Sequence, residues 1–375
     1  MKINASSNEH SALIEKLKES NLRRAIIEKL LFLCENLDAM NEDVEAQRYV
    51  AAALRIHPIT ERFDDSVCSC ESELMALQIL SERFAIQVDE LKQQVLASWK
   101  QCVVVTSCFD EVNKVTTAQL KSSADRKDML GDMCQALYNL GLLHEHVAVL
   151  GTKLMKHFFK PSLTSNKISF GASTQKDSKS QVFTLRYPST NDESGVVTPS
   201  DAFERLTAIL NFLSTDVFSG VELELGSSGE KRMLMSFLGE SCSDELQQLL
   251  VDECLTRAVP LNHNELPSFN DVISATKNFH AYLQSLHFIE SDSSATIAYV
   301  SDVDVHFAKK KCQQVLTQAR SLMQRELHNT VRVSSTHPFS ELPALKIPKT
   351  DDPVLMPDSS VLDATVFRMP EFSIR

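Results

Sequence analysis

Along most of the chain, apolar residues return every three or four positions, the period of a helix that turns one face toward a core. The longest such stretch runs from Val303 to Val333. Val305, Ala308, Cys312, Val315, Ala319 and Leu322, then Met323, Leu327 and Val331, share one stripe. Lys309, Lys310, Lys311, Arg320 and Arg325 mostly lie off it. With no Gly or Pro to interrupt it, the stretch predicts one helix of roughly 45 Å, at about 1.5 Å per residue, packed on other helices by that stripe.

The same period appears earlier. Residues 8–56 carry helical patterns, and Ile26, Leu30, Leu33, Leu37 and Met40 form an a/d seam. His57-Pro58 is predicted to end the second helix, because the residue before proline is pushed out of the α region. Glu71 to Lys100 is the next long helix, with Leu77, Leu80, Phe84, Val88, Leu91 and Val95 on one side. Cys102-Val-Val-Val105 is β-branched and short: either a strand or the extended exit of that helix. Asp125 to Lys160 returns to helix, its stripe made by Met133, Leu137, Leu140, His144, Val147, Leu154 and Phe158 and its stop by Pro161.

The period then changes. Lys167–Phe170 and Gln181–Tyr187 alternate around a polar Gly/Ser/Lys loop, which predicts a small β-hairpin that must pack on the helices to be stable. Thr198-Pro-Ser-Asp201 opens a helix, with Thr as cap, Pro at the first position and an acid at the third. Phe203, Leu206, Leu210, Leu213 and Val217 follow at heptad spacing. Ser227-x-x-Glu230 and Ser268-x-x-Asp271 read as two more capped starts, the second leading into Val272, Ile273, Thr276, Phe279, Leu283 and Leu286. After Ser334 the pattern is lost. Six of the 12 prolines (338, 343, 348, 353, 357 and 370) fall in the last 42 residues, the signature of a linker or disordered tail.

Composition sharpens this picture. Only 9 of the 375 residues are Gly and aromatic content is 7%, which favours long helices over sheet with tight turns. A net charge of -12 argues against a nucleic-acid-binding body and fits an acidic, partner-binding protein. The 9 cysteines (34, 68, 70, 102, 108, 134, 242, 254 and 312) are odd in number and sit mostly in helical patterns, so they read as reduced cytosolic thiols. The opening residues lack the apolar core of a signal peptide, and no run approaches 18 apolar residues. Direct membrane insertion is not expected; membrane association is left to partners.

Candidate chemistry is sparse. Gly226-Ser-Ser-Gly229-Glu-Lys231 hints at a phosphate loop but lacks its spacing, and Arg232 stands where Ser or Thr is needed; a helix cap explains the same residues. His144-Glu145-His146 is not a zinc motif, since histidines two apart point to different sides of a helix; His144 reads as a hydrogen-bonded core residue. Cys68-x-Cys70 is one residue too tight for a knuckle or redox pair. Lys309-Lys310-Lys311 reads as a solvated helix face, with a partner surface as the functional alternative. No catalytic, cofactor-binding or metal-binding residue is assigned. No cofactor is expected, and the chain is predicted not to be an enzyme.

One stretch carries more than its period. His306-Phe307-Ala308, Lys310-Lys311-Cys312, Ala319-Arg320, Leu322-Met323 and Glu326 with His328-Asn329-Thr330-Val331 resemble the corresponding helix of the Zeste-white-ten family, the kinetochore and vesicle-tethering subunits. Leu140-Gly141-x-Leu143-His144, continuing to Leu154 and Lys156 and then Lys160-Pro161, agrees with that family's middle region in order and spacing, as does Pro199-Ser200-x-x-Phe203. The resemblance covers most of residues 10–335. It implies the helical-rod fold of tethering-complex subunits and two complexes. One is the Rod–Zwilch assembly at unattached kinetochores, which recruits dynein and supports the mitotic checkpoint. The other is an ER-associated tether that works with SNAREs in Golgi-to-ER transport. Set beside the family, the chain is expected to begin after the amino-terminal coiled coil and to stop in the linker before the carboxy-terminal helical domains.

The combined expectation is a mainly α protein of elongated antiparallel helical bundles with a small β-hairpin insertion. Its predicted parts are a helical bundle over residues 1–160, the hairpin and loop over 161–198, a second bundle over 199–333 and a tail over 334–375. The implied role is a scaffold at the kinetochore in mitosis, otherwise cytoplasmic and peripheral at the ER membrane through its partners. The alternative is a shortened helical adaptor that keeps the fold but has lost both complexes. Limited proteolysis checks the organisation: cleavage should concentrate in the 171–181 loop and after Ser334, and a tail resistant throughout would contradict its assignment as disordered.

Overall fold

The computed structural model describes residues 2–64, 71–123, 127–175, 180–188, 197–226, 229–290 and 294–324. The chain divides at Val315: the described residues up to it form one compact unit, residues 316–324 are described apart from it, and the tail expected over 334–375 lies outside the described residues. The fold is mainly helical. One continuous hydrophobic core runs through the first unit, from Leu33 to Val300.

Helices α1 (Lys2–Glu45), α2 (Tyr49–Asp64) and α3 (Glu71–Cys102) pack together. Leu33, Leu37 and Met40 of the a/d seam are fully buried, against Ala52 and Ile59 of α2 and Leu91 and Val95 of α3. Asp43 holds the α1–α2 corner, accepting from Arg48 Nε at 2.8 Å and from Arg55 Nε at 2.9 Å. Burial works to raise its pKa, but the two guanidinium partners win and hold the carboxyl below its ordinary range. The expected helix end at His57-Pro58 is not observed, because α2 continues through Pro58 to Asp64. Proline inside a helix costs about 3 kcal/mol. Here the turn beyond it returns more, through fully buried Ile59 and the Phe63 ring 5.8 Å from Phe84.

Two strands follow α3 directly: β1 (Val103–Asp110) and β2 (Val115–Ser123). Cys102–Val105 thus resolves as helix end and strand start. Beyond β2, the single helix expected over 125–160 is two, α4 (Lys127–Asn139) and α5 (Leu143–Leu154). The break lies at Gly141, whose φ of +70° is the left-handed conformation that ends helices. A π turn, Met155–Phe159, carries the helical run on into α6 (Lys160–Thr164), so the helix passes through Pro161 instead of stopping there.

The expected hairpin is present as β3 (Ser169–Gln175) and β4 (Ser180–Pro188), with Phe170 opposite Leu185 and Ala172 opposite Phe183. Because β3 extends to Gln175, the connecting loop is shorter than the alternation implied. The hairpin does not stand alone. β4 also pairs with β2, giving an antiparallel sheet in the order β1-β2-β4-β3. Ala118 and Leu120 of β2 and Phe183 and Leu185 of β4 are buried on its inner face, while Arg186 points out. Phe183 lies 6.3 Å from Phe158 and 5.4 Å from Phe212, which joins the sheet to the helices.

Helix α7 (Pro199–Phe212) starts as its sequence dictates: Thr198 Oγ1 accepts from the Asp201 amide at 3.2 Å, with Pro199 in the first turn. A second π turn, Leu213–Val217, prolongs it, and Ser122 Oγ of β2 donates to the Asp216 carbonyl at 2.8 Å. Within α7, Arg205 does more than fill space. Its guanidinium donates to the carbonyls of Ser162 (3.1 Å), Ser165 (2.8 Å) and Asn166 (3.1 Å), closing the open end of α6 and aiming the chain into β3. Arg205 is only 8% exposed, and burial lowers its pKa.

Arg205→Met should therefore lower stability by about 2–4 kcal/mol, since it strands buried carbonyls that Arg205→Lys can satisfy only in part. Chemical denaturation of the three proteins tests this. Equal stability for all three would contradict it.

Candidate interaction surface

The remaining elements build the surface that α12 presents. Strands β5 (Glu222–Leu225) and β6 (Glu230–Met233) form a two-stranded hairpin, with Leu223 opposite Arg232. The amide of Gln135 on α4 pairs with the backbone of Glu224, donating to its carbonyl at 3.0 Å and accepting from its N–H at 2.8 Å. Helix α8 (Leu234–Leu250), a third π turn (Val251–Leu255) and α9 (Thr256–Ala258) follow. Gly239 of α8 lies against the Phe288 carbonyl so closely that a Cβ there would stand 1.8 Å from that oxygen. A 3-10 turn (His263–Ser268) leads into α10 (Phe269–Ser285), and α11 (Ala295–Ser301) precedes α12 (Val303–Gln324).

The start expected at Ser268 is in place, but its capping box is not formed. Ser268 is itself helical, and its Oγ donates to the Glu265 carbonyl at 2.6 Å, because the 3-10 turn already supplies the preceding carbonyls.

Helix α12 reverses the orientation its pattern implied. Lys310 is half-buried, and its Nζ donates to the carbonyls of Val259 (2.5 Å), Thr256 (3.1 Å) and Arg257 (3.3 Å). Lys311 Nζ reaches Leu261 O at 3.4 Å. These carbonyls are left open where α9 ends, and a cation is the natural group to close them. Burial lowers the Lys310 pKa. His306 stacks on Tyr299 with ring centroids 3.8 Å apart, on the same inward side.

The apolar stripe consequently faces away. Val305 is 64% exposed and Val315 54%, with Ala308 and Cys312 exposed between them. Among residues 316–324, Leu316, Leu322 and Met323 are exposed as well. No described side chain of α12 is buried. The expectation that this stripe packs inward is thus overturned, and so is the solvated reading of Lys310 and Lys311. Lys309 alone of the three is exposed. Periodicity revealed the stripe; the cation's hydrogen-bond demand fixed which way it turned.

The other singled-out residues lie elsewhere. Gly226 and Gly229, with φ of +57° and +67°, flank the β5–β6 turn. Glu230 is therefore in a strand and caps no helix, and Ser227 lies outside the described residues. Arg232 pairs with Glu240 and Glu290 and lies 5.1 Å over the Phe237 ring, so it contributes to packing here and forms no phosphate cradle. Hydrogen bonds from Ser236 and Arg232 hold Glu290 below the usual carboxylate range. His144 is exposed, its ring 5.2 Å from Phe237, and is not the core residue expected of it. Cys68 and Cys70 lie outside the described residues. Among the described residues no cysteine forms a disulfide: Cys108 and Cys312 are exposed, and burial pushes the Cys242 and Cys254 thiols up to about 12. Among the described residues no three His, Cys, Asp or Glu side chains gather as a metal site, and no helix is long and apolar enough to cross a membrane.

What the fold displays is a helical protein with an outward apolar helix face. The comparisons with known proteins give its family. The model of the middle domain of centromere/kinetochore protein zw10 matches residues 95–323, more than half of the chain, and the chain belongs to that family. It is 24% identical over 395 residues to a centromere/kinetochore protein zw10 homolog of Rattus norvegicus, covering 98% of this chain and 50% of the relative. A homolog of the same description from Arabidopsis thaliana is 24% identical over 321 residues, covering 83% of this chain and 41% of the relative. The chain thus spans about half the length of the curated relatives it matches, or less.

Lys310→Met should loosen α12, speeding amide exchange through residues 303–315 and costing about 1 kcal/mol at this partly exposed site. Lys310→Arg should recover much of the loss. Unchanged exchange in Lys310→Met would show that the carbonyl contacts do not hold the helix.

Proposed function

We propose that this chain is a non-enzymatic scaffold of the kinetochore, acting with Rod- and Zwilch-type subunits in the mitotic checkpoint and in dynein recruitment. In interphase it serves an ER tethering complex that works with SNAREs in Golgi-to-ER transport. The observation that carries this reading is the family match over residues 95–323, in relatives named for the centromere and kinetochore. The physical features are consistent with it. Arg232, beside the loop that hinted at phosphate, is engaged in ion pairing, while the described part of the family's own stretch is a helix with its apolar side outward. Scaffolding requires surfaces that hold partners at set positions, and exposed apolar helix faces provide them.

Affinity capture with this chain from mitotic and interphase lysates, followed by mass spectrometry, is the test. Rod and Zwilch should follow it in mitosis and ER tether subunits in interphase. Recovery of neither by a folded chain would replace this reading with an adaptor that retains only the fold.

A further inference from the structure

At one end of the sheet's outer face, Arg186 of β4 lies between Thr117 of β2 and Ser169 of β3, each opposite it in register. Residues so paired stand side by side on one face. With Lys167, just before β3, they line a groove of about 910 Å³. Arg186 and Lys167 are exposed, and among the described residues neither has an ion-pair partner. Lys167 leaves a fixed backbone, because Arg205 holds the carbonyls of Ser165 and Asn166 before it. Asp110 lines the groove too, but its carboxylate is tied into the β1–β2 turn. It accepts from Asn113 Nδ2 at 2.7 Å and from the amides of Val112 (3.0 Å) and Asn113 (3.3 Å). The wider setting is basic: residues 146–188 carry seven Lys or Arg against one acid, Asp177, in a chain of net charge -12.

Two cations beside two hydroxyls call for an anion with several acceptor oxygens. A phosphate monoester offers three such oxygens and nearly two negative charges, and a guanidinium takes it bidentately. The groove is far larger than one phosphate, and Val115 and Pro188, paired in register, give it an apolar wall. The phosphate therefore arrives on a longer ligand with apolar groups beside it. A bilayer is flat and would meet the acidic remainder of the chain, whereas a peptide strand can enter the groove alone. We infer that this groove binds a phosphoserine- or phosphothreonine-bearing segment of a partner protein, the phosphate held by Arg186 and Lys167. The inference rests on the scaffold reading and gives one partner its chemistry and its seat.

Fluorescence anisotropy with the full, unphosphorylated chain tests it. The probes are labelled peptides of one short sequence, with Val on either side of a central phosphoserine, serine or glutamate. The phosphoserine peptide should bind at least about tenfold more tightly than the serine one, with glutamate between them. Its affinity should fall with salt, and also from about pH 7.5 to about pH 5.5 as the phosphate takes up a proton near its second pKa of about 6. Arg186→Gln should lose at least about tenfold, Arg186→Lys less, and Lys167→Gln about threefold, whereas Lys153→Gln, outside the groove, should bind as the parent does. Unchanged circular dichroism melts would establish that these exposed positions leave the fold intact. No binding, equal binding of the serine and phosphoserine peptides, or binding indifferent to Arg186→Gln would overturn the site. Phosphatidylinositol phosphate vesicles that bind through Arg186 while the phosphopeptide does not would overturn the peptide in favour of a membrane. Loss of probe binding once residues 334–375 are phosphorylated would overturn the partner in favour of this chain's own segment. A chain that captures Rod and Zwilch yet ignores the phosphopeptide would overturn the site and leave the scaffold reading standing. Capture of neither, with the phosphopeptide bound through Arg186, would remove the scaffold reading while the site remained.

Discussion

An α-helix leaves its last carbonyls without partners, and a packed protein must find donors for them. Here two cations from later in the chain do so. Arg205 reaches back to Ser162, Ser165 and Asn166, and Lys310 reaches back to Thr256, Arg257 and Val259. Each contact decides the path of the backbone. The first sets where the chain leaves α6 for β3, and the second sets which side of α12 meets the fold. Both lie at the ends of helical runs that a π turn has prolonged, α6 after Met155–Phe159 and α9 after Val251–Leu255. Arg suits the buried end, where a planar fork serves three acceptors, and Lys suits the partly wet one, where a single ammonium suffices.

Core and sheet meet this constraint from the other side. Three π turns, Met155–Phe159, Leu213–Val217 and Val251–Leu255, each extend a helix by a wider turn. Each brings side chains inward at its far end: Phe158 and Phe159, Val217, and Cys254 and Leu255 are all buried. The sheet rests on the first two through Phe183, Phe212 and the Ser122–Asp216 hydrogen bond. It is thus part of the helical core and is not an appendage on a loop.

Much of this was legible in the sequence. The a/d seam of α1, the Thr198 cap, the alternation of β4 and the helix expected over 303–333, of which 325–333 lie outside the described residues, each depend on neighbours within a few residues, and each appears where the pattern put it as far as it is described. What was missed depended on distant partners. Strand β2 buries Ala118, Leu120 and Ser122, a weak alternation in apolar character that makes sense only once β4 lies beside it. Pro58 did not end α2 because burial of Ile59 outweighed a local rule. The largest error was the facing of α12. A hydrophobic stripe states that something apolar is to be covered, but not by whom, and the carbonyls that claimed Lys310 lie some fifty residues away in sequence. The surface carrying the functional reading was therefore visible as a stripe and invisible as a surface.

The strand order β1-β2-β4-β3 has a kinetic consequence. The two hairpins are local, but pairing Thr116 with Tyr187 closes a loop of roughly 70 residues that contains α4, α5 and α6. Closing so long a loop costs about 4 kcal/mol of chain entropy before contacts return any of it. Helices already folded between the strands shorten the effective span and lower that cost. Strand order thus favours a sequence of events in which the helices between β2 and β4 form before the sheet is completed.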